Sequence, residues 1–128
     1  MDTTELYKMC EKAEEIQDNY IPQDGDVVFH NGKVQIFHIK EVPVYFSWSG
    51  YIWLPRQDQL QEMYREYQSN REPFFEATTP EAQNAFMLRE IVRFNDTRYC
   101  ASMEQLWLAF VMKEQYGKVW NGEDWVKE

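Results

Sequence analysis

The stretch DVVFHNGKVQIFHIK, residues 26–40, places two strand-forming runs on either side of an Asn-Gly pair. Asn31 and Gly32 both tolerate the positive backbone φ of a type I′ turn, whose twist matches that of paired strands. The pattern therefore predicts an antiparallel hairpin in which His30 lies opposite Lys33. Because side chains alternate along a strand, one face carries Val27, Phe29, Val34, Ile36 and His38, and the other carries Val28, His30, Gln35, Phe37 and Ile39.

The two histidines of this hairpin lie on opposite faces, so they cannot bind one metal ion together. His30 is beside the turn and is expected to be solvated, whereas His38 lies on the more apolar face and is expected to pack there with a hydrogen bond. Cys10 and Cys100 have no CxxC spacing and are expected to be reduced thiols. We therefore expect no metal site and no cofactor.

Length and charge limit the classes of protein. A chain of 128 residues, 44% of them apolar, fits a single globular domain over 1–128 with one core. The net charge of −9 would repel a phosphate backbone, so we expect no direct nucleic-acid binding. No apolar run approaches the length of about 20 residues that spans a bilayer, and the N-terminus does not resemble a signal peptide, so a cytoplasmic protein without membrane contact is expected.

Residues 3–20 are predicted to form an amphipathic helix. Its apolar face would carry Leu6, Met9, Cys10, Ala13, Ile16 and Tyr20. The opposite face would carry an acidic ridge, made of Glu11, Glu14, Glu15 and Asp18, with no cation between them. The acidic ridge is either a solvated helix face or a surface that binds a basic partner, such as a host protein.

The rest of the chain predicts further helices and short strands. Residues 41–55 are extended in character, and residues 56–68 are predicted to form a helix with one apolar face that carries Leu60, Met63, Tyr64 and Tyr67. Thr79-Pro80 opens another helix through Phe94, which is apolar on more than one side and is therefore expected to be the central buried helix. Ser102 and Gln105 form a capping box for the next helix, which stops at Gly117. The predicted fold is α+β, with about four helices packed on a small antiparallel sheet and a short C-terminal hairpin.

The C-terminal segment YGKVWNGEDWVKE, residues 116–128, contains a second Asn-Gly pair between two tryptophans. A two-residue turn at Asn121-Gly122 would put Trp120 opposite Glu123 and Lys118 opposite Trp125, with both indoles on one side. That aromatic face is expected to dock on the protein's own core, beside Trp107 and Phe110, or to form a subunit interface. Because 16% of the residues are aromatic, we also expect a homo-oligomer.

Three segments resemble small uncharacterised proteins encoded by phages and prophages of Gram-positive bacteria. They are CEKAEEIQ (10–17), IWLPRQDQLQEMY (52–64) and EQLWLAFVMKEQYGKVWNGEDWV (104–126). The resemblance implies a cytoplasmic protein made in the bacterial host during infection or lysogeny. It implies no reaction and no catalytic residues.

The sequence contains no phosphate loop, GxGxxG, GxSxG or HExxH motif. Glu62 and Glu66 stand one helical turn apart, as carboxylates that flank Arg65 on a wet surface commonly do. We therefore expect a non-enzymatic interaction or regulatory protein, with an enzyme of unrecognised type as the less favoured possibility.

The alternative is a protein that binds and sequesters a small molecule or nucleotide, with aromatic rings stacking on a base and arginine on phosphate. Its site would comprise His38, Tyr45, Trp48, Tyr51, Trp53 and Arg56. The other interpretation of these rings is sheet core.

Overall fold

Helices and short antiparallel strands make up the computed structural model, which describes residues 3–18, 20–38, 40, 50–72, 75, 78–94 and 102–128. The helices are α1 (Thr3–Lys12), α2 (Glu14–Asp18), α3 (Gln57–Arg71), α4 (Pro80–Arg93) and α5 (Met103–Tyr116). The strands are β1 (Val27–His30), β2 (Lys33–Ile36), β3 (Ile52–Trp53), β4 (Lys118–Trp120) and β5 (Trp125–Lys127). The α+β prediction is confirmed. Within the described part of the chain, no helix is long and apolar enough to cross a membrane.

Helix α5 is the centre of the core. Its buried residues surround the helix on most sides: Gln105, Trp107, Leu108, Ala109, Phe110, Val111 and Met112. The prediction that the helix beginning at Pro80 is the central buried one is wrong, because α4 buries only Met87 and Ile91. An apolar pattern on two sides of a helix does not reveal which side is covered. In α4 one apolar side packs inward and the other faces solvent.

The N-terminal segment forms two helices instead of the single helix predicted over 3–20. At Ala13 the chain tightens: the amide of Ala13 donates to the carbonyl of Cys10 at 3.1 Å, and its carbonyl accepts from the amide of Ile16 at 3.0 Å. The predicted apolar face is buried nonetheless, since Leu6, Met9, Cys10, Ala13 and Ile16 all belong to the core. The spacing of these residues suits both a continuous helix and one with a single tightened turn, so periodicity could not distinguish the two.

The hairpin at residues 26–40 has the predicted register. His30 pairs with Lys33, and Asn31 and Gly32 have φ of 53° and 76°. Strand β1 also pairs with β3, so the sheet order is β2-β1-β3. Val28 and Phe37 on one face are buried, and Val27 and Phe29 on the other face are partly buried against the core, whereas Val34 and Ile36 on β2 are exposed.

This orientation reverses the expected surroundings of the two histidines. His30, expected to be solvated, stacks on Tyr51 with the ring centroids 3.8 Å apart, and its Nδ1 lies 3.1 Å from the carbonyl of Gly50. His38, expected to pack, is exposed, and its Nδ1 lies 3.9 Å from Asp24. The sequence pattern identified the two faces correctly; both faces carry buried or partly buried apolar side chains, and His38 lies at an exposed position after β2.

The C-terminal hairpin docks on the protein's own core, as the first of its two interpretations predicted. Trp120 is buried, its indole N–H donates to Glu5 at 3.1 Å, and that of Trp125 donates to the carbonyl of Met9 at 2.9 Å. Both indoles lie on one side, as expected. The predicted register is wrong, because Trp120 pairs with Trp125 across a four-residue loop.

The helix starts predicted at Thr79-Pro80 and Ser102 and the stop at Gly117 are confirmed, although of the capping box predicted at Ser102 only the bond that its hydroxyl accepts is described. Thr79 accepts a hydrogen bond from the amide of Ala82 at 3.2 Å, with Pro80 in the first turn. Ser102 accepts one from the amide of Gln105 at 3.2 Å. Gly117 ends α5 with φ of 66°, a left-handed conformation that glycine adopts without steric cost.

Candidate functional site

The acidic ridge is only partly available to a partner. The carboxylate of Glu15 is hydrogen-bonded to the ammonium of Lys118 on β4, so this member of the ridge is neutralised within the chain. Glu11, Glu14 and Asp18 are exposed. A hydrogen bond with Glu11 raises the pKa of the Tyr7 hydroxyl, with burial adding to the effect. Three outward carboxylates therefore remain, and their role in binding a host protein stays a prediction.

The residues of the predicted aromatic ligand site have separate partners. Tyr45 and Trp48 lie outside the described residues. Among the others, Tyr51 stacks on His30, and His38 lies beside Asp24. Trp53 is only 2% exposed and stacks on Tyr20, with ring centroids 3.6 Å apart and planes 18° apart. The described contacts therefore do not assemble these side chains around one ligand.

Arg56 belongs to a network centred on a buried carboxylate. Asp26 accepts hydrogen bonds from the hydroxyl of Tyr20 at 2.6 Å and the amide of Gln59 at 2.7 Å. The guanidinium of Arg56 lies 3.7 Å from Asp26 and 3.1 Å from Asp58. Burial and the bond to Asp26 raise the pKa of Tyr20 to about 12, so its hydroxyl remains a donor. Since two carboxylates compensate Arg56, this arginine does not provide the free cation that a phosphate needs.

Trp53 is held by its backbone as well as its ring. The side-chain amide of Gln17 donates to the carbonyl of Trp53 at 2.8 Å and accepts from its amide at 2.9 Å, as a neighbouring strand would. The indole N–H of Trp53 is buried and has no hydrogen-bond partner among the described residues. The Trp53–Tyr20 stack is thus positioned by two hydrogen bonds to the backbone of Trp53 and lies beside Gln59 of α3.

A groove of about 490 Å³ runs beside this stack, and we call it the α3 groove. Its largest wall is one face of α3, where lining residues recur at helical spacing: Gln59, Glu62, Met63, Glu66, Tyr67 and Asn70. Tyr20 and Trp53 also line it, and Gln115 of α5 forms another part of the wall. Its volume lies within the range of about 300–1,000 Å³ typical of small-molecule sites.

Polar groups inside the α3 groove are positioned by specific bonds. The side-chain amide of Gln115 donates to the carbonyl of Met63 at 3.2 Å, which joins α5 to α3. The hydroxyl of Tyr67 donates to the carbonyl of Glu114 at 3.0 Å. Glu62 is paired with Arg65, whereas Glu66 is exposed and makes no ion pair with any described residue. The groove thus combines ordered rings and amides with an uncompensated carboxylate.

Helix α4 carries a second candidate surface. Ala85, Leu88 and Val92 follow one another at helical spacing on its outer side, next to the buried stripe of Met87 and Ile91, and we call them the α4 face. Leu88 is 63% exposed and Val92 is 73% exposed. A recess of about 440 Å³ adjoins this face, lined in part by Ala82, Ala85 and Phe86. Two large apolar side chains therefore meet solvent beside a recess.

Sequence reasoning did not identify either surface. The spacing of Met63 and Tyr67 along α3 indicated a packed face, and only the position of α5 shows that part of that face lines a groove. Tyr20 was assigned to the apolar face of a helix, whereas its hydroxyl contacts Asp26 from a loop. The apolar character of both sides of α4 was the available signal for the α4 face.

The described residues contain no group of three or more His, Cys, Asp or Glu side chains that could hold a metal ion. Cys10 is a free thiol whose pKa is raised by burial, which makes it unreactive at neutral pH.

Comparison with protein-family models, curated proteins and solved structures found no match for this chain.

Proposed function

We propose that this chain is a non-enzymatic interaction or regulatory protein of phage type, which acts as an assembly of its own copies joined through the α4 face. The observation that supports the proposal is the exposure of Leu88 and Val92 on one side of α4. Contiguous exposed apolar side chains commonly mark protein contact sites, because covering them removes apolar surface from water. The predicted place of action is the cytoplasm of the bacterial host.

Charge complementarity favours a second copy as the occupant of the α4 face. Glu81 lies in the first turn of α4, and Arg93 lies in its last turn. When two α4 helices pair antiparallel, the acidic start of each lies beside the basic end of the other, and the two helix dipoles are opposed. In this arrangement Leu88 of one copy packs near Ala85 of the other, whose small side chain permits close approach.

Sedimentation velocity tests the assembly. We expect a species heavier than the 15.5 kDa monomer at micromolar concentration. Leu88→Glu should return the protein to a monomer, because a carboxylate in an apolar contact loses its hydration. The matched control is Ile21→Glu, since Ile21 is 67% exposed but belongs to the segment before β1 and not to α4, and this variant should assemble as the parent does.

A charge exchange tests the antiparallel arrangement itself. Glu81→Arg and Arg93→Glu should each weaken assembly, and the double variant should recover most of it because the complementary pair is restored in reverse. A parent that sediments only as a monomer at high concentration would refute the assembly. Equal dissociation by Leu88→Glu and Ile21→Glu would refute the α4 face as its location.

A further inference from the structure

We propose that the α3 groove binds a linear aliphatic polyamine, that is, a flexible organic chain carrying several protonated amines. This proposal concerns a face formed by α3 and α5 and does not depend on assembly through α4. It also differs from the expected nucleotide site, because the described groove offers negative charge where a nucleotide would need positive charge. The argument rests on the charge, the apolar wall and the length of the groove.

The charge of the groove selects a cation. Glu62 and Glu66 are its charged lining residues, and the described lining contains no Lys, Arg or His side chain. Arg65 compensates Glu62, so the uncompensated charge is that of Glu66. The net charge of −9 adds a long-range attraction for cations. Anionic ligands would meet repulsion both locally and from the whole molecule.

The apolar part of the groove requires that this cation be organic. Tyr20, Trp53, Met63 and Tyr67 contribute ring and thioether surface to the lining. A small metal ion cannot use such surface, whereas the methylene groups of an aliphatic amine can pack against it. Aromatic faces also attract ammonium groups through their quadrupole. Arg71 already illustrates this at the rim, with its guanidinium carbon 5.1 Å from the centre of the Tyr67 ring.

The length of the groove favours an extended ligand. Gln59 and Asn70 are eleven residues apart on α3, which corresponds to roughly 16 Å at the helical rise. Glu62 and Glu66 are one turn apart, about 6 Å along the axis. That separation suits two amines joined by a butylene spacer. The side-chain oxygen of Gln115, whose amide nitrogen is already bonded to Met63, provides a neutral acceptor on the facing wall.

Isothermal titration calorimetry with spermidine at low ionic strength tests the site. We expect saturable binding that Glu66→Gln weakens about tenfold, the usual effect of losing a charge-assisted hydrogen bond. The matched control is Glu123→Gln, because it removes the same charge from an exposed position outside both the groove and the α4 face. That variant should change the dissociation constant by less than about twofold, as expected for a distant, screened charge.

A variant that binds spermidine more tightly distinguishes a specific site from local unfolding, because unfolding of the groove could only weaken binding. Gln115→Glu places a further carboxylate on the facing wall and should tighten spermidine binding by about threefold to tenfold. Magnesium chloride at matched ionic strength should not displace spermidine, and a neutral oligoether of the same length should not bind. Absence of saturable binding, displacement by magnesium, or equal weakening by Glu66→Gln and Glu123→Gln would overturn the proposal.

Discussion

The two hairpins of this protein contain the same Asn-Gly dipeptide and use it in different ways. In the β1–β2 hairpin both turn residues have positive φ, and Asn31 is the only non-glycine residue of the described chain that does. In the β4–β5 hairpin the positive φ is that of Gly122, at 103°. There the side-chain oxygen of Asn121 accepts hydrogen bonds from the amides of Glu123 and Asp124, both at 2.8 Å.

The difference teaches that an Asn-Gly pair predicts a turn more securely than it predicts a register. Strand-forming residues run up to both sides of Asn31-Gly32, so pairing begins immediately beside the turn. After Gly122 come Glu123 and Asp124, which are poor strand formers. Pairing there begins only where the indoles of Trp120 and Trp125 meet, with ring centroids 5.2 Å apart. Side-chain packing therefore determines the register of the second hairpin.

The hairpins also differ in how they are attached to the rest of the molecule. The first is anchored by sheet pairing of β1 with β3, and its edge strand β2 is exposed along its length. The second is anchored by side chains that reach α1 and α2. They include the two indoles, with Trp120 buried, and ion pairs that join Lys12 to Asp124 and Lys118 to Glu15.

The largest expected effect comes from breaking the indole anchor. Trp120→Ala should lower the free energy of unfolding by about 3–5 kcal/mol, because it leaves a large cavity beside the core and removes the bond to Glu5. Ile36→Ala, at an exposed position of the first hairpin, should cost no more than about 1 kcal/mol. Urea unfolding measures both. Similar losses for the two variants would contradict the difference in anchoring.

A smaller effect should distinguish the two uses of asparagine. Asn121→Gly removes the oxygen that accepts two loop amides and should cost about 1 kcal/mol. Asn31→Gly retains a residue that adopts positive φ freely, so the free energy of unfolding should change by less than about 0.5 kcal/mol, the relief of strain offsetting the added chain entropy. Thermal and urea unfolding of both variants provide the measurement. Equal destabilisation would mean that the asparagines have the same role.

Local chemistry allowed much of the fold to be predicted from the sequence. The Asn31-Gly32 turn, the cap at Thr79 and the stop at Gly117 each depend on one or two residues and their neighbours. The choice between α4 and α5 as the buried helix could not be predicted, because it depends on which apolar side another element covers. The solvent exposure of His38 could not be predicted for the same reason.

The candidate site was less predictable than the fold. Glu15 could be placed on a helix face, but its partner Lys118 is distant in sequence and approaches only through the docking of β4. The α3 groove likewise arises from α3, the Tyr20–Trp53 stack and α5, which are separate in the chain. The periodicity of a sequence predicts which residues share one face of a helix or strand. Predicting a cavity also requires the distances between these elements in the folded protein.

The smallest predicted effect concerns the pH dependence of the C-terminal anchor. Burial tends to raise the pKa of Glu15, but the hydrogen bond and charge of Lys118, with a backbone hydrogen bond, outweigh it and lower that pKa below its ordinary value of 4.5. A lowered pKa in the folded state means that the carboxylate contributes stability above the pKa of the unfolded chain. That contribution is lost as the pH falls below 4.5 and through the folded pKa.

Glu15→Gln therefore should destabilise the protein by about 0.5–1 kcal/mol at neutral pH, a magnitude typical of a partly exposed ion pair. The difference between parent and variant should shrink as the pH falls below 4.5. Glu14→Gln is the matched control, because it removes the same charge from an exposed position of the same helix that is not bonded to Lys118. Urea unfolding at several pH values measures the difference. If it stays constant on acidification, the ion pair with Lys118 does not stabilise the anchor, and the two indoles hold the C-terminal hairpin without it.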